Sequence, residues 1–251
     1  MLHLYDPAYL AMKKELALAD GEGNAGEFKA FTYKNSLRFS VLLREAPGEE
    51  MTGLLLKEIK RCGRACMKRK VLLWYSQAEG FSTVLLDRLG KYSDPYRFFL
   101  FRLERDAIGT DVDMKGLRAE KCTPDRIDAC IDVMEEAFTP FPDAPGSFRG
   151  DRERIAGEFL CENGGAVLFF KGDDLVGFCG HKQGYLTEVA VRRGYQGQGY
   201  GEAMLRAVLR AIREMGYDAE LCVRHDNARA IGLYRKVGFK KVYESMRVKL
   251  K

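Results

Sequence analysis

The sequence predicts a mixed α/β protein in which helices flank a sheet. Residues 166–191 form a meander of apolar stretches separated by turns, and amphipathic helices alternate with strands from there to residue 250. The length of 251 residues fits one large domain or two modest ones.

The composition narrows the possible classes of function. Hydrophobic residues make up 46% of the chain and charged residues 31%, which excludes a disordered, collagen-like or coiled-coil protein. No apolar run approaches the roughly 18–20 residues that span a bilayer, and charged residues interrupt the apolar N-terminal stretch. We therefore expect neither a membrane segment nor a secretory signal. The seven cysteines contain no Cys-x-x-Cys pair, which argues against a metal site and favours the reducing cytoplasm.

Charge gives little indication of a partner. The net charge is only +5, and the basic stretch at 57–70 reads as the solvated face of an amphipathic helix. We therefore expect no nucleic-acid partner.

The elements of the C-terminal part follow from apolar spacing and turn residues. Thr123 is a good N-cap, and Pro124 occupies the first helical position. A Pro-rich loop at 139–148 separates the first helix from the second, and a hairpin-type turn at 171–174 joins two strands. The remaining predicted elements are strands at 117–122, 185–191, 219–224 and 240–250, and helices at 151–162, 201–216 and 227–238.

The N-terminal third repeats the pattern of the C-terminal part. A shift of 148 residues places 40–44 on 188–192 and 71–90 on 219–238 without a gap, and it places Gly53 on Gly201, each opening a helix. The stretch at 97–103 then matches the final strand after a short insertion. Two unrelated α/β segments that align by chance are the alternative. The polar, glycine-bearing segment at 104–116 marks the predicted boundary between domains at 1–112 and 113–251.

A glycine-dense turn, QGQGYG at 196–201, lies between an apolar strand and an amphipathic helix. Its glycines can expose several backbone N–H groups at the positive end of the helix, which makes a site for phosphate oxygens. The turn lacks the lysine of a P-loop and the spacing of a dinucleotide-binding fold. Taken alone, it is also compatible with a simple strand–helix joint.

In combination, the glycine turn and the segment at 227–239 resemble the GNAT superfamily of acyl-CoA-dependent N-acetyltransferases. Residues 196–201 match the pyrophosphate loop of that family, and 227–239 match the helix and turn beside the thioester. The resemblance covers 117–250 and implies a mostly antiparallel sheet, α+β by some schemes, with acetyl-CoA or CoA as co-substrate and no metal. It makes 113–251 the catalytic domain and 1–112 a degenerate, partial GNAT-like domain without a cofactor site.

The resemblance also implies the site residues. In this family the strand at 188–191 splays from the strand at 221–224, and pantetheine pairs with the main chain of Val189 and Val191. A backbone N–H near Val189 polarises the thioester carbonyl. Asn227 is expected to bind pantetheine, and Tyr234 to donate to the departing thiolate. The full set of expected cofactor-binding residues is Val189, Ala190, Val191, Gln196, Gly197, Gln198, Gly199, Tyr200, Gly201, Glu202, Asn227 and Tyr234.

An acceptor amine is protonated at pH 7, so its attack requires a base or a chain of waters. Glu188, a lone acid in the apolar strand YLTEVAV, is the candidate base and forms the expected catalytic pair with Tyr234. Glu188 could instead bind the positive charge of the acceptor or lie on an exposed strand face.

Two functions remain open from the sequence. One is transfer of acetyl from acetyl-CoA to a primary amine of a small molecule or peptide by direct attack. The other is a CoA-binding regulatory protein that keeps the fold without turnover. Either is expected to act as a cytoplasmic monomer or homodimer without a membrane partner.

Overall fold

The computed structural model describes residues 14–19, 25–33, 36–65, 70–90, 92–138 and 147–250. These residues form two compact units. The first unit contains the described chain up to Leu100, Val223–Asn227 and the strand that follows Lys240. The second contains Phe101–Cys222 and Ala228–Lys240. The assignment of 1–112 and 113–251 as domains without and with a cofactor site stays a prediction.

For most of the chain, the strands and helices occur in the order that the apolar spacing predicts. In chain order they are β1 (Lys14–Ala19), β2 (Ala25–Tyr33), β3 (Ser36–Leu43), α1 (Glu49–Ala65), β4 (Lys70–Gln77), α2 (Val84–Leu89), β5 (Tyr92–Leu103), β6 (Arg118–Lys121), α3 (Ile127–Phe138), α4 (Arg152–Phe159), β7 (Gly164–Lys171), β8 (Asp174–Lys182), β9 (Tyr185–Val191), α5 (Tyr200–Glu214), β10 (Ala219–Arg224), α6 (Ala228–Val237) and β11 (Lys240–Leu250).

In the first unit the strands lie in the order β1-β2-β3-β4-β11. Strands β3 and β4 pair in parallel over eight residue pairs, from Ser36↔Lys70 to Leu43↔Gln77, and β11 pairs antiparallel with β4. The helices α1 and α2 share the core of this unit with the sheet. Its fully buried side chains include Phe28, Val41, Leu55, Leu73, Leu85 and Leu86.

In the second unit the strands lie in the order β10-β9-β8-β7-β6. The β9–β10 pair is parallel, and the pairs β9–β8, β8–β7 and β7–β6 are antiparallel. The predicted mixed, mostly antiparallel sheet with flanking helices is therefore confirmed. Helices α3 and α4 share an apolar core with this sheet, and α5 buries its predicted stripe. That stripe is Met204, Leu205, Val208, Leu209 and Ile212.

Two helices begin differently from the sequence-based expectation. Thr123 makes no capping bond through its side chain, and a 3-10 turn at Pro124–Arg126 precedes α3. The reason is local, because the Thr123 side chain forms its hydrogen bond with Asp125 instead. Helix α1 begins at Glu49, so Gly53 lies inside it and does not open it. Most of the Pro-rich loop, 139–146, lies outside the described residues.

The observed bounds of the strands and helices follow the predicted repeat further along the chain than the sequence comparison did. Shifted by 148 residues, β3, α1 and β4 fall on β9, α5 and β10. Strand β5 begins at Tyr92, earlier than the stretch predicted from residue 97, so its start falls on the start of β11. The short insertion that the sequence comparison required is therefore not needed. Within the described ranges, no helix is both long and apolar enough to cross a membrane.

Candidate active site

The β9–β10 pair opens shortly after it begins. The two strands pair only at Glu220↔Tyr185 and Leu221↔Leu186, although β9 continues to Val191. Among the described residues, the rest of β9 has no ladder partner on its β10 side. Its opposite edge stays paired with β8, from Cys179↔Val189 to Gly177↔Val191. This part of β9 therefore offers unpaired backbone groups along one edge.

A bulge in β9 coincides with this opening. Gly180 pairs with Glu188 and His181 pairs with Leu186, so Thr187 is an extra residue on β9. An extra residue bends the bulged strand and increases its twist, which directs β9 away from the line of a regular ladder. A β-carbon at Gly180, opposite the bulge, would lie 2.5 Å from Thr187 Oγ1 and 3.0 Å from Glu188 Oε2, so a larger residue there would displace these two side chains.

The glycine turn joins the open end of β9 to α5. Gly197 and Gly199 have φ values of +79° and +83°, which a residue with a β-carbon rarely adopts. The backbone N–H groups at 197–202 donate to no acceptor among the described residues, while the Ala203 N–H bonds the Gly199 carbonyl at 3.2 Å. Several N–H groups thus remain available at the positive end of a 15-residue helix.

The two glutamine side chains of the turn hold its backbone. Gln196 Nε2 donates to the Val191 carbonyl at 2.9 Å, and its Oε1 accepts from Arg229 at 2.6 Å. Gln198 Nε2 donates to the Gly194 carbonyl at 2.9 Å. Because these amides are occupied, contacts from Gln196 and Gln198 to a ligand would come chiefly from their main chains.

The first turn of α5 carries an acid whose charge is compensated. Glu202 accepts hydrogen bonds from Lys236 at 2.5 Å and from Arg206 at 3.0 Å, and these contacts lower its pKa. The neighbouring Tyr200 is 6% exposed, and its hydroxyl accepts from Lys171 Nζ at 2.6 Å. The predicted ligand contacts of Tyr200 are therefore limited to its backbone.

Glu188 lies on β9 just beyond the last β9–β10 pair. Its Oε2 is buried and has no hydrogen-bond partner. Burial raises the pKa of Glu188 to about 7, the nearby negative charge of Glu158 raises it further, and a hydrogen bond with Thr187 opposes the shift. Arg154 lowers the same pKa, but it forms a 2.9 Å hydrogen bond with Glu158 and so compensates part of that charge. A carboxyl group with this pKa can gain or lose a proton near neutral pH.

Tyr234 lies on α6 and is 9% exposed. Its ring packs against Phe101 and Phe239, with centroid separations of 6.5 and 5.9 Å. Burial raises the pKa of Tyr234 far above neutrality, and the buried Cys179 contributes. Its hydroxyl therefore keeps its proton at pH 7 and can donate it.

Tyr185 lies near the predicted pair, although the sequence did not single it out. Burial raises the pKa of Tyr185, and the charges of Cys222, Glu188 and Tyr234 contribute, which places these groups within electrostatic reach of Tyr185. From the sequence, His181 is either a contact for the acceptor or, more commonly, a surface histidine. The structure excludes the surface position, because His181 is buried with an unpaired Nδ1, and burial lowers its pKa. For Tyr185, only the alternation of the strand sequence, which places residues on one face, offered a signal.

The remaining expected site residues differ in the groups that they can offer to a ligand. Ala190 is fully buried in the core, so only its main chain can reach a ligand. The side chain of Val191 lies 3.5 Å from the point where a β-carbon on Gly201 would stand, so strand and helix approach closely there. Asn227 lies in the first unit, where its N–H bonds the Arg224 carbonyl at 3.1 Å. Its contact with pantetheine stays a prediction.

Known proteins are similar to this chain in sequence or in fold. Residues 130–239 match the family model described as Acetyltransferase (GNAT) family. The chain is 31% identical over 133 residues to a mycothiol acetyltransferase of Streptomyces scabiei, which covers 50% of this chain and 43% of that protein. It is 44% identical over 64 residues to an N-alpha-acetyltransferase of Sulfurisphaera tokodaii, which covers 24% of this chain and 38% of that protein. This chain thus spans less than half the length of these relatives.

A solved structure with the same fold is a tandem GNAT protein from the clavulanic acid biosynthesis pathway, without AcCoA. It superposes with a TM-score of 0.59 at 15% identity, over 99% of this chain and 85% of that one. The mixed sheet and flanking helices define a GNAT-type fold. Through the match at 130–239, this segment belongs to the GNAT acetyltransferase family.

The buried carboxyl of Glu188 predicts a pH-dependent effect on stability. Its pKa of about 7 exceeds the ordinary 4.5. The contribution of this carboxyl group to the free energy of unfolding is therefore fully present below about pH 4.5 and is lost as the pH rises through 7. Glu188→Gln should remove that loss. Between pH 4.5 and pH 8, the free energy of unfolding of the variant should rise relative to that of the parent by on the order of 2–3 kcal/mol, because one pKa unit corresponds to about 1.4 kcal/mol. Urea unfolding at both pH values measures this gain.

Glu153→Gln is the control, since Glu153 lies exposed on α4. A Glu188→Gln difference that stays constant between the two pH values would contradict the raised pKa.

Proposed function

We propose that this protein is an N-acyltransferase that moves acetyl from acetyl-CoA to a primary amine of a small molecule or peptide. The opening between β9 and β10 beside the glycine turn carries this proposal, because it combines free backbone edges with exposed helix N–H groups. The acetyltransferase names of the curated relatives support the reaction class.

The groups around this opening fit CoA in charge and in hydrogen bonding. The N–H groups at 197–202 suit phosphate oxygens, and the compensated Glu202 does not repel them. The free edge of β9 suits the amides of pantetheine, with Val189 contributing its main chain and Val191 its N–H, because Gln196 occupies the Val191 carbonyl. Bound acetyl-CoA would supply an activated thioester acetyl group. The N–H of Val189 is our candidate for polarising its carbonyl.

Two side chains are proposed to handle protons. Glu188 accepts a proton from the acceptor ammonium, and its pKa of about 7 suits this role at neutral pH. Tyr234 donates the proton of its hydroxyl to the departing sulfur, and burial keeps that hydroxyl protonated until then. Direct attack by the amine requires no covalent intermediate with the protein.

The first unit is proposed to bind no CoA. Its β3–β4 ladder is closed over all eight pairs, so it lacks the opening found between β9 and β10. The positions equivalent to 196–199 are 48–51, where α1 begins with Glu49 and Glu50. Two carboxylates there would repel a pyrophosphate by about 1 kcal/mol or more each at a few ångströms.

The chemistry-bearing residues are also replaced in the first unit. Ser40, Glu79 and Leu86 stand where Glu188, Asn227 and Tyr234 stand in the second. Leu86 is fully buried, so a residue of the apolar core occupies the position equivalent to that of the tyrosine.

The protein is proposed to act in the cytoplasm, as a monomer or homodimer. The cysteines whose side chains are described, namely Cys122, Cys130, Cys161, Cys179 and Cys222, are free thiols, which suits a reducing compartment.

The proposed reaction is tested by release of free thiol from acetyl-CoA with a panel of amines, including amino acids, polyamines and peptide N-termini. Turnover with any of them supports the proposal, and mass spectrometry of the product must show the acetyl on nitrogen. Tight CoA binding without turnover across the panel would instead indicate the CoA-binding regulatory protein. With an accepted amine, Glu188→Gln should lose rate at pH 7 and recover in part at high pH, where the amine deprotonates unaided.

Gly199→Val should weaken CoA binding at least roughly tenfold and raise the KM for acetyl-CoA. Valine cannot readily adopt φ of +83°, and its β-carbon would lie 3.0 Å from Lys115 Cε, so the N–H groups would be displaced. Titration calorimetry with CoA measures this change. Gly194→Val is the matched control, since no atom lies within 4 Å of its β-carbon position. Unchanged binding in the Gly199 variant would refute the phosphate turn.

Tyr234→Phe removes only the hydroxyl, so CoA binding should persist while kcat falls by up to roughly 10²–10⁴-fold. Steady-state kinetics across the pH range measures the effect. Tyr217→Phe is the control, because Tyr217 is 38% exposed. An unchanged kcat at every pH would exclude proton donation by Tyr234.

One CoA should bind per chain, because among the described residues only those of the second unit combine an open strand pair with a free glycine turn. The stoichiometry from titration calorimetry checks this directly. Two equivalent sites per chain would contradict the closed β3–β4 ladder as a barrier to CoA.

A further inference from the structure

A lysine outside the family motif lies over the glycine turn of the second unit. Cε and Nζ of Lys115 lie 3.0 and 3.4 Å from the point where a β-carbon on Gly199 would stand. Because Gly199 has no β-carbon, the lysine side chain can lie directly against the backbone of the turn. The exposed side chain of Lys115 thus brings its ammonium group beside Gly199, the residue that precedes α5.

The backbone that carries Lys115 is fixed by a tight turn. The Leu117 N–H bonds the Met114 carbonyl at 2.9 Å, and the Lys115 N–H bonds Asp113 Oδ1 at 2.8 Å. Lys115 has φ of +52°, a conformation that is uncommon for lysine and is retained only when the surroundings impose it. Leu117 is 6% exposed and anchors the turn in the apolar interior of the unit.

The charge of Lys115 is uncompensated. Among the described residues, its ammonium forms no ion pair with a carboxylate, and Asp113 contacts its backbone only. The nearest acid of the helix start, Glu202, is occupied by Lys236 and Arg206. The positive charge of Lys115 therefore adds to that of the helix N-terminus, and the two together suit an anion with several oxygens.

We propose that Lys115 binds the pyrophosphate of CoA at the glycine turn. This inference rests on the proposed function, and it adds to the motif a residue from the segment at 104–116, which the sequence identifies only as a polar boundary. The ammonium donates to a phosphate oxygen on the side of the turn that the N–H groups leave open, as a charge-assisted hydrogen bond. The pyrophosphate is preferred over the adenosine phosphate because Lys115 contacts the turn itself.

Titration calorimetry with CoA tests the proposal on the full chain. Lys115→Gln should raise the Kd for CoA roughly three- to tenfold, and Lys115→Arg should stay close to the parent, because the charge is retained. The difference between parent and Lys115→Gln should shrink at high ionic strength. Lys57→Gln is the matched control, since it removes an exposed lysine from α1. Lys115→Asn is a second neutral variant that tolerates the positive φ.

Two CoA fragments distinguish the possible sources of the phosphate. With dephospho-CoA, which lacks the adenosine 3′-phosphate, the fold-loss in Lys115→Gln should be the same as with CoA. With pantetheine, which lacks all phosphates, parent and variant should bind alike. A loss that disappears with dephospho-CoA would overturn the assignment to the pyrophosphate, and equal CoA affinities of parent and variant would overturn any role of Lys115. A parent that binds no CoA would refute the proposed function instead.

Discussion

The early end of the β9–β10 ladder is the constraint on which the rest of the site depends. A parallel ladder that continued would pair the edge of β9 with β10 and leave nothing for a ligand, as β3 and β4 show over their eight pairs. The bulge at Thr187 turns β9 aside, while β8 keeps holding its other edge. The strand therefore stays paired along one edge while the other is free, and such an anchored edge can position a ligand with a small ordering cost.

Two electrostatic environments lie at different ends of this free edge. At the glycine turn, N–H groups and the uncompensated Lys115 make a positive region without burying a charge. Near the bulge, Oε2 of Glu188 is buried without a partner, and the cost of desolvating the carboxylate raises the pKa of Glu188 to about 7. One strand thus joins a region suited to anion binding with one suited to proton transfer.

Elements with strong periodicity were predicted closely. The strand at 185–191 and the final strand at 240–250 match β9 and β11, and the apolar stripe of the helix after the glycine turn is buried as expected. Starts of helices were predicted less well. The side chain of Thr123 forms a hydrogen bond with Asp125 and makes no cap. The spacing of apolar residues gives no information on such local side-chain hydrogen bonds.

The sequence by itself determined the mixed sheet, the glycine turn and the repeat at an offset of 148 residues, because periodicity, glycine spacing and register are local properties of the chain. Only the tertiary structure decided where the β9–β10 ladder stops, how far Glu188 is buried and that Lys115 lies over Gly199. Residues 115 and 199 are far apart in the chain, so no local pattern relates them. Burial and its effect on a pKa arise from the surrounding atoms, which only the folded chain brings together.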